Sequence, residues 1–182
     1  ESVRKKLKEL ARNTIAAELG LEDMIDVEKE FDDPIFKEKR GVFVTLEIDG
    51  KLRGCIGNIE PVYPLAEAVV NNASEAAFGD PRFMQLSNEE FENIEIEISV
   101  LSPFKEIKSY DEIEVGKHGL LLDEGGRAVL LPQVATEQNY NRAEFLTALC
   151  HKAGLYGDYW KERMLKIKVF TALVFGEDLE EE

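Results

Sequence analysis

A two-residue Asp49-Gly50 turn, set between two runs rich in apolar and β-branched residues, is the feature that limits most tightly what this chain can become. Both residues tolerate a positive φ, which a type I′ turn requires, so Gly41 to Ile59 is predicted to be a hairpin of Val42–Ile48 and Lys51–Ile59. A third run, Ile94 to Val100, alternates Ile94, Ile96, Ile98 and Val100 with Glu95, Glu97 and Ser99. That period of two predicts an antiparallel strand covered on one face only.

Helical spacing sits on both sides of the hairpin. Val3, Leu7, Leu10, Ala11, Ile15 and Leu19 recur at intervals of three and four, and Gly20 follows as a left-handed stop. Leu65 to Phe78 is predicted to be a second helix, entered at Pro64 and ended at Gly79. Between them, Leu21 to Lys39 shows no period and reads as a loop that tucks its aromatic residues inward. Ser87 and Glu90 have the spacing of a capping box opening a short helix. Farther on, Leu120–Leu122 and Ala128–Leu131 form a second hairpin around Gly125-Gly126, ended by Pro132. Asn141 to Ala153 gives a third main helix, with Phe145, Leu146, Leu149 and Cys150 on its apolar face. Leu165 to Phe175 reads as one long closing strand.

The expected fold class is therefore α+β: an antiparallel or mixed sheet of five to seven strands flanked by about three helices, with the second hairpin as a small second lobe. At 182 residues one domain over 1–182 is expected, and 44% hydrophobic with 32% charged residues is the balance of a globular chain. The formal net charge of −15 opposes binding to nucleic acid or an anionic membrane. No apolar run reaches the roughly 20 residues that span a bilayer, and two unpaired cysteines suit a cytoplasmic protein.

Chemistry concentrates in Leu52-Arg53-Gly54-Cys55-Ile56-Gly57. In a regular strand Arg53 and Cys55 share a face, which would set a guanidinium beside a thiol and favour the thiolate. The structural alternative is a cysteine packed between two glycines. His118, held between Gly116 and Gly119, would serve as a base to a Cys55 nucleophile, with Glu97 orienting it. Its alternative is a turn histidine bonded to backbone. Arg53, Gly54, Gly57, Asp80, Arg82 and Gln133 are the expected substrate-binding residues, although Asp80 and Arg82 could equally form a local ion pair. No metal site or cofactor is expected, since Cys55, His118 and Cys150 lack ligand spacing.

Leu52 to Gly57, Asp80-Pro81-Arg82-Phe83, Glu97 to Ser102, Gly116 to Leu120 and Leu131 to Val134, taken in that order, resemble the AMME-syndrome candidate (AMMECR) domain family, as an archaeal or bacterial member. Lys117 is the one small departure, where Arg would be as natural. The resemblance implies a two-lobed fold with a cleft between the lobes and no established reaction. It also implies companions: Memo-like relatives of metal-dependent dioxygenases and radical-SAM proteins. Two functions follow as expectations: a ligand-binding or accessory module serving such a partner, or a cysteine-dependent enzyme acting on a small polar substrate.

Overall fold

The computed structural model describes residues 2–124 and 126–176. Contacts divide the chain into two compact units, Glu1–Leu101 with Leu173–Glu182, and Ser102–Ala172. The class is α+β with a second unit built on the second hairpin, as expected, and the eight strands described are shared between two four-stranded sheets.

In the first unit, β1 (Val42–Ile48) and β2 (Lys51–Asn58) form the expected hairpin, with Asp49 at φ 53° and Gly50 at φ 73°. β3 (Ile94–Leu101) pairs antiparallel with the other side of β1, and β8 (Ala172–Gly176) adds to β3, so the order is β2-β1-β3-β8 and β2 is an edge. Val42, Val44 and Leu46 share one face with Ile94, Ile96 and Ile98, and all six are buried. Helices α1 (Val3–Glu18) and α3 (Leu65–Phe78) cover this face with Leu7, Leu10, Ile15, Val69 and Ala73. The alternation in β3 is imperfect at its end, where Ser99 is buried and Val100 only half-buried. The stretch read as a loop contains a one-turn helix, α2 (Val27–Glu30), and a 3-10 turn at Pro34–Lys37. Its Phe31 and Phe36 do turn inward and meet edge to face at 4.8 Å. The capping box at Ser87 and Glu90 opens α4 (Asn88–Phe91).

In the second unit, β4 (Lys105–Glu106), β7 (Ile167–Phe170), β5 (Gly119–Glu124) and β6 (Gly126–Leu130) form an antiparallel sheet in that spatial order. Helix α6 (Arg142–Lys152) packs Phe145, Leu146, Leu149 and Cys150 into its core. Gly125 lies outside the described residues. Gly126 belongs to β6, where an added Cβ would stand 2.8 Å from the Ala153 carbonyl oxygen. Pro132 ends the hairpin by starting another helix, α5 (Pro132–Glu137), at a position where proline's missing N–H costs nothing.

The closing run is not one strand. It breaks at Thr171, whose N–H donates to Ser102 Oγ at 2.8 Å and whose carbonyl accepts from Ser102 N–H at 2.8 Å. These two bonds take Thr171 out of a sheet ladder, so β7 and β8 serve different sheets.

Candidate functional site

The β1–β2 ladder slips by one residue between Leu46 and Glu47. Leu46 faces Gly54 and Glu47 faces Leu52, which leaves Arg53 as the extra residue of a bulge. The slip decides where the motif's side chains go. Arg53 turns to α4 and the loop before it: Nε donates to Glu90 Oε2 at 2.6 Å, and Nη2 donates to Glu90 Oε1 at 3.2 Å and to the Met84 carbonyl at 2.6 Å. This hydrogen bonding is the chief reason the Glu90 carboxyl is held below the usual glutamate range.

Cys55, now opposite Thr45, is half-buried, and the Thr45 hydroxyl donates to its sulfur at 3.2 Å. Its backbone faces away from β1, toward the open edge of the sheet. There the Cys55 N–H donates to Asp80 Oδ2 at 3.0 Å, and the Cys55 carbonyl accepts from Arg82 Nη2 at 3.3 Å. Asp80 is 4% exposed. It also accepts from the Arg82 backbone N–H at 3.1 Å, Arg82 Nε at 3.0 Å and Arg82 Nη2 at 2.7 Å. Arg82 is thus the main cause that holds the Asp80 carboxyl far below the ordinary aspartate range, against the opposing effect of burial. The loop is fixed further by Phe83, whose ring receives the guanidinium of Arg53 at 5.6 Å and that of Arg82 at 5.5 Å.

Both motif glycines answer to packing. An added Cβ on Gly54 would collide with the Ala76 carbonyl oxygen of α3, and one on Gly57 would collide with the Phe43 ring.

Glu97 lies across β1 from Cys55, because Thr45 faces Cys55 on one side and Glu97 on the other. Burial, and secondly Glu47, push its carboxyl up. His118 and Gln133 belong to the second unit. His118 closes a turn: its N–H donates to the Glu114 carbonyl at 2.9 Å and its Nδ1 accepts from the Glu114 N–H at 3.0 Å. Desolvation, then Lys117, lowers its pKa. Gln133 is exposed in the first turn of α5. His151, on α6, is exposed.

Cys55, Asp80 and Arg82 thus lie at the β2 edge of the first sheet, with Thr45 and then Glu97 in line on the interior strands β1 and β3, and Arg53 is tied off one step away. Thr45, Glu90 and Phe83 were not foreseen. Counting back from a two-residue turn pairs Thr45 with Gly54, and only the bulge moves it to Cys55. The capping spacing of Glu90 was visible, but not its second duty to Arg53. Among the described residues no group of three or more His, Cys, Asp or Glu could hold a metal, and no helix is long and apolar enough to cross a membrane.

Known proteins resemble this one over most of the chain. A protein of Thermoplasma volcanium is 44% identical over 176 residues, covering 92% of this chain and 86% of its own. One from Methanopyrus kandleri is 48% identical over 151 residues, covering 78% and 73%. The crystal structure of an uncharacterised Pyrococcus horikoshii protein matches with a TM-score of 0.81 at 39% identity, covering 95% of this chain and 90% of that one. The family model described as AMMECR1 matches residues 8–175, and the chain belongs to the AMMECR1 family.

Proposed function

We propose that this chain, as a single AMMECR1-type domain over 1–182, is an accessory module that binds a small polar ligand or a partner enzyme through the surface around Cys55. One observation carries the reading: groups that a catalytic set would keep available are committed to partners inside the protein. Asp80 serves the Cys55 N–H and Arg82, Arg53 serves Glu90 and the Met84 carbonyl, and His118 Nδ1 takes the Glu114 N–H. Such bonding makes a rigid surface, and rigidity in the bound conformation lowers the entropic cost of recognition. Beneath this surface Arg53 Nη1 is buried with no hydrogen-bond partner among the described residues.

The net charge of −15 favours a partner with a basic patch and makes association sensitive to salt. A Memo-like or radical-SAM protein is the partner class implied by the sequence resemblance. Both cysteines are free, which fits a reducing compartment such as the cytoplasm.

Capture from a native extract tests the proposal. The same partner should be retained at low salt by the wild type and by Cys55→Ser, and lost on reversing the exposed charges with Glu89→Lys and Glu92→Lys. Turnover of a small molecule by the purified chain alone, abolished in Cys55→Ser, would overturn it.

Thiol chemistry at Cys55 is the second reading. The Thr45 hydroxyl favours it, because it donates to the sulfur at 3.2 Å and fixes where that atom points.

A further inference from the structure

An edge strand presents a row of N–H and C=O groups that another strand can pair with, and proteins usually guard it with charged residues or proline. The Gly54-Cys55-Ile56-Gly57 stretch of β2 has neither, and β2 is an edge of its sheet. What closes it at Cys55 is a pair of side chains. Asp80 Oδ2 accepts the Cys55 N–H at 3.0 Å, and Arg82 Nη2 donates to the Cys55 carbonyl at 3.3 Å. One acceptor and one donor, offered to the two backbone groups of a single residue, are what an opposing residue supplies in the hydrogen-bonded pair of an antiparallel ladder.

We propose that Asp80 and Arg82 are an edge guard that occupies the place of a neighbouring strand and keeps β2 from pairing with β2 of a second copy. A second copy is the occupant that fits by symmetry. Antiparallel pairing about a two-fold axis through Cys55 sets Cys55 opposite Cys55, and the two residues exchange the same two bonds that the guard now makes. About that axis Gly54 pairs with Ile56 and Arg53 with Gly57, so the charged side chain of each copy meets a glycine of the other, and the Arg53 guanidinium is already held by Glu90. The guard is built for permanence: Asp80 is 4% exposed and is held by three donors of Arg82 besides the Cys55 N–H.

The test compares wild type, Arg82→Lys and the double variant Asp80→Ala/Arg82→Ala. Each is read by hydrogen exchange at the Cys55 amide, by light scattering, and by a short bis-maleimide cross-linker with mass-spectrometric assignment of the linked peptides. Cys150 is fully buried, so links in folded protein report on Cys55. The wild type and Arg82→Lys should keep a protected Cys55 amide and give no Cys55-to-Cys55 link. In the double variant, exchange at low protein concentration should accelerate by roughly 100-fold, as expected when a buried bond becomes an open edge. At high concentration the double variant should gain mass and form the link. If circular dichroism shows that it does not fold, Arg82→Met is read in the same way, since it frees the carbonyl and loosens Asp80. Unchanged exchange in a folded variant, or accelerated exchange with neither mass gain nor link, would overturn the proposal.

Discussion

Gly54 has backbone on both of its sides. The β1 ladder is on one, and on the other the last turns of α3 approach until the Ala76 carbonyl oxygen occupies the space of a side chain. Backbone yields less readily than a side chain, so Gly54→Ala should cost about 1–3 kcal/mol in urea denaturation, the usual range for an overpacked position. A loss below the error of the measurement would mean that α3 slides away freely. Thr45 offers a sharper test of the sulfur's surroundings. Thr45→Val keeps the shape and removes the hydroxyl donor, and alkylation of Cys55 at fixed pH should slow by roughly tenfold, the effect of losing one hydrogen bond that positions the reacting atom. An unchanged rate would remove the observation that favours thiol chemistry. At this scale the motif was legible as a cluster but not as a set of contacts. Leu52 to Gly57 and Asp80 to Phe83 stand out in the sequence, yet nothing local says that Asp80 reaches a backbone N–H 25 residues away. That Arg53 is bound to Glu90 and the Met84 carbonyl was not legible either, and the bulge beside it is a single-residue event that leaves no periodic trace.

Elements were legible where a long period and a stop signal agreed. Leu65–Phe78 and Val3–Glu18 have both, and Asp49-Gly50 fixes its hairpin unaided. Short elements were not. The two residues of β4 and the six of α5 are too few to express a period, and the break at Thr171 depends on Ser102, far away in the chain. A polar residue on a helix's buried side is another case that only packing explains. Asn72, 7% exposed on α3, donates to the Val42 carbonyl at 3.0 Å and to Asn58 Oδ1 at 2.7 Å, which ties the helix to both strands of the hairpin. Asn72→Ala should therefore cost about 1–3 kcal/mol, the penalty for stranding a buried acceptor. Adding Asn58→Ala should cost less in that background than alone, because the two share a bond. Full additivity in a denaturant-melt cycle would show that the Asn72–Asn58 bond is not formed.

For the molecule as a whole, two cores and a net charge of −15 make pH the natural probe. Asp80 and Glu90 have depressed folded-state pKa values, so their contribution is present above the unfolded value of about 4 and is lost as pH falls through the folded one. His118 is also lowered, and it works in the same sense at higher pH. Its native state resists protonation, so its contribution holds above about 6.5 and drains away as pH drops through the lower folded value. Glu97 runs the other way, since a raised carboxyl gains stability as pH falls and it takes up a proton. Everything at the Cys55 edge depends on one of these groups, an Asp80 carboxylate that is buried, ionised and held by Arg82. Its carboxyl-carbon NMR shift, followed from neutral pH downward, is the most direct measurement. It should stay at the ionised value well below the ordinary aspartate midpoint of about 3.9, and move only as the fold gives way. A reversible midpoint near that ordinary value in the folded protein would mean that Arg82 and the Cys55 N–H do not hold the carboxylate, and would contradict the account of the site.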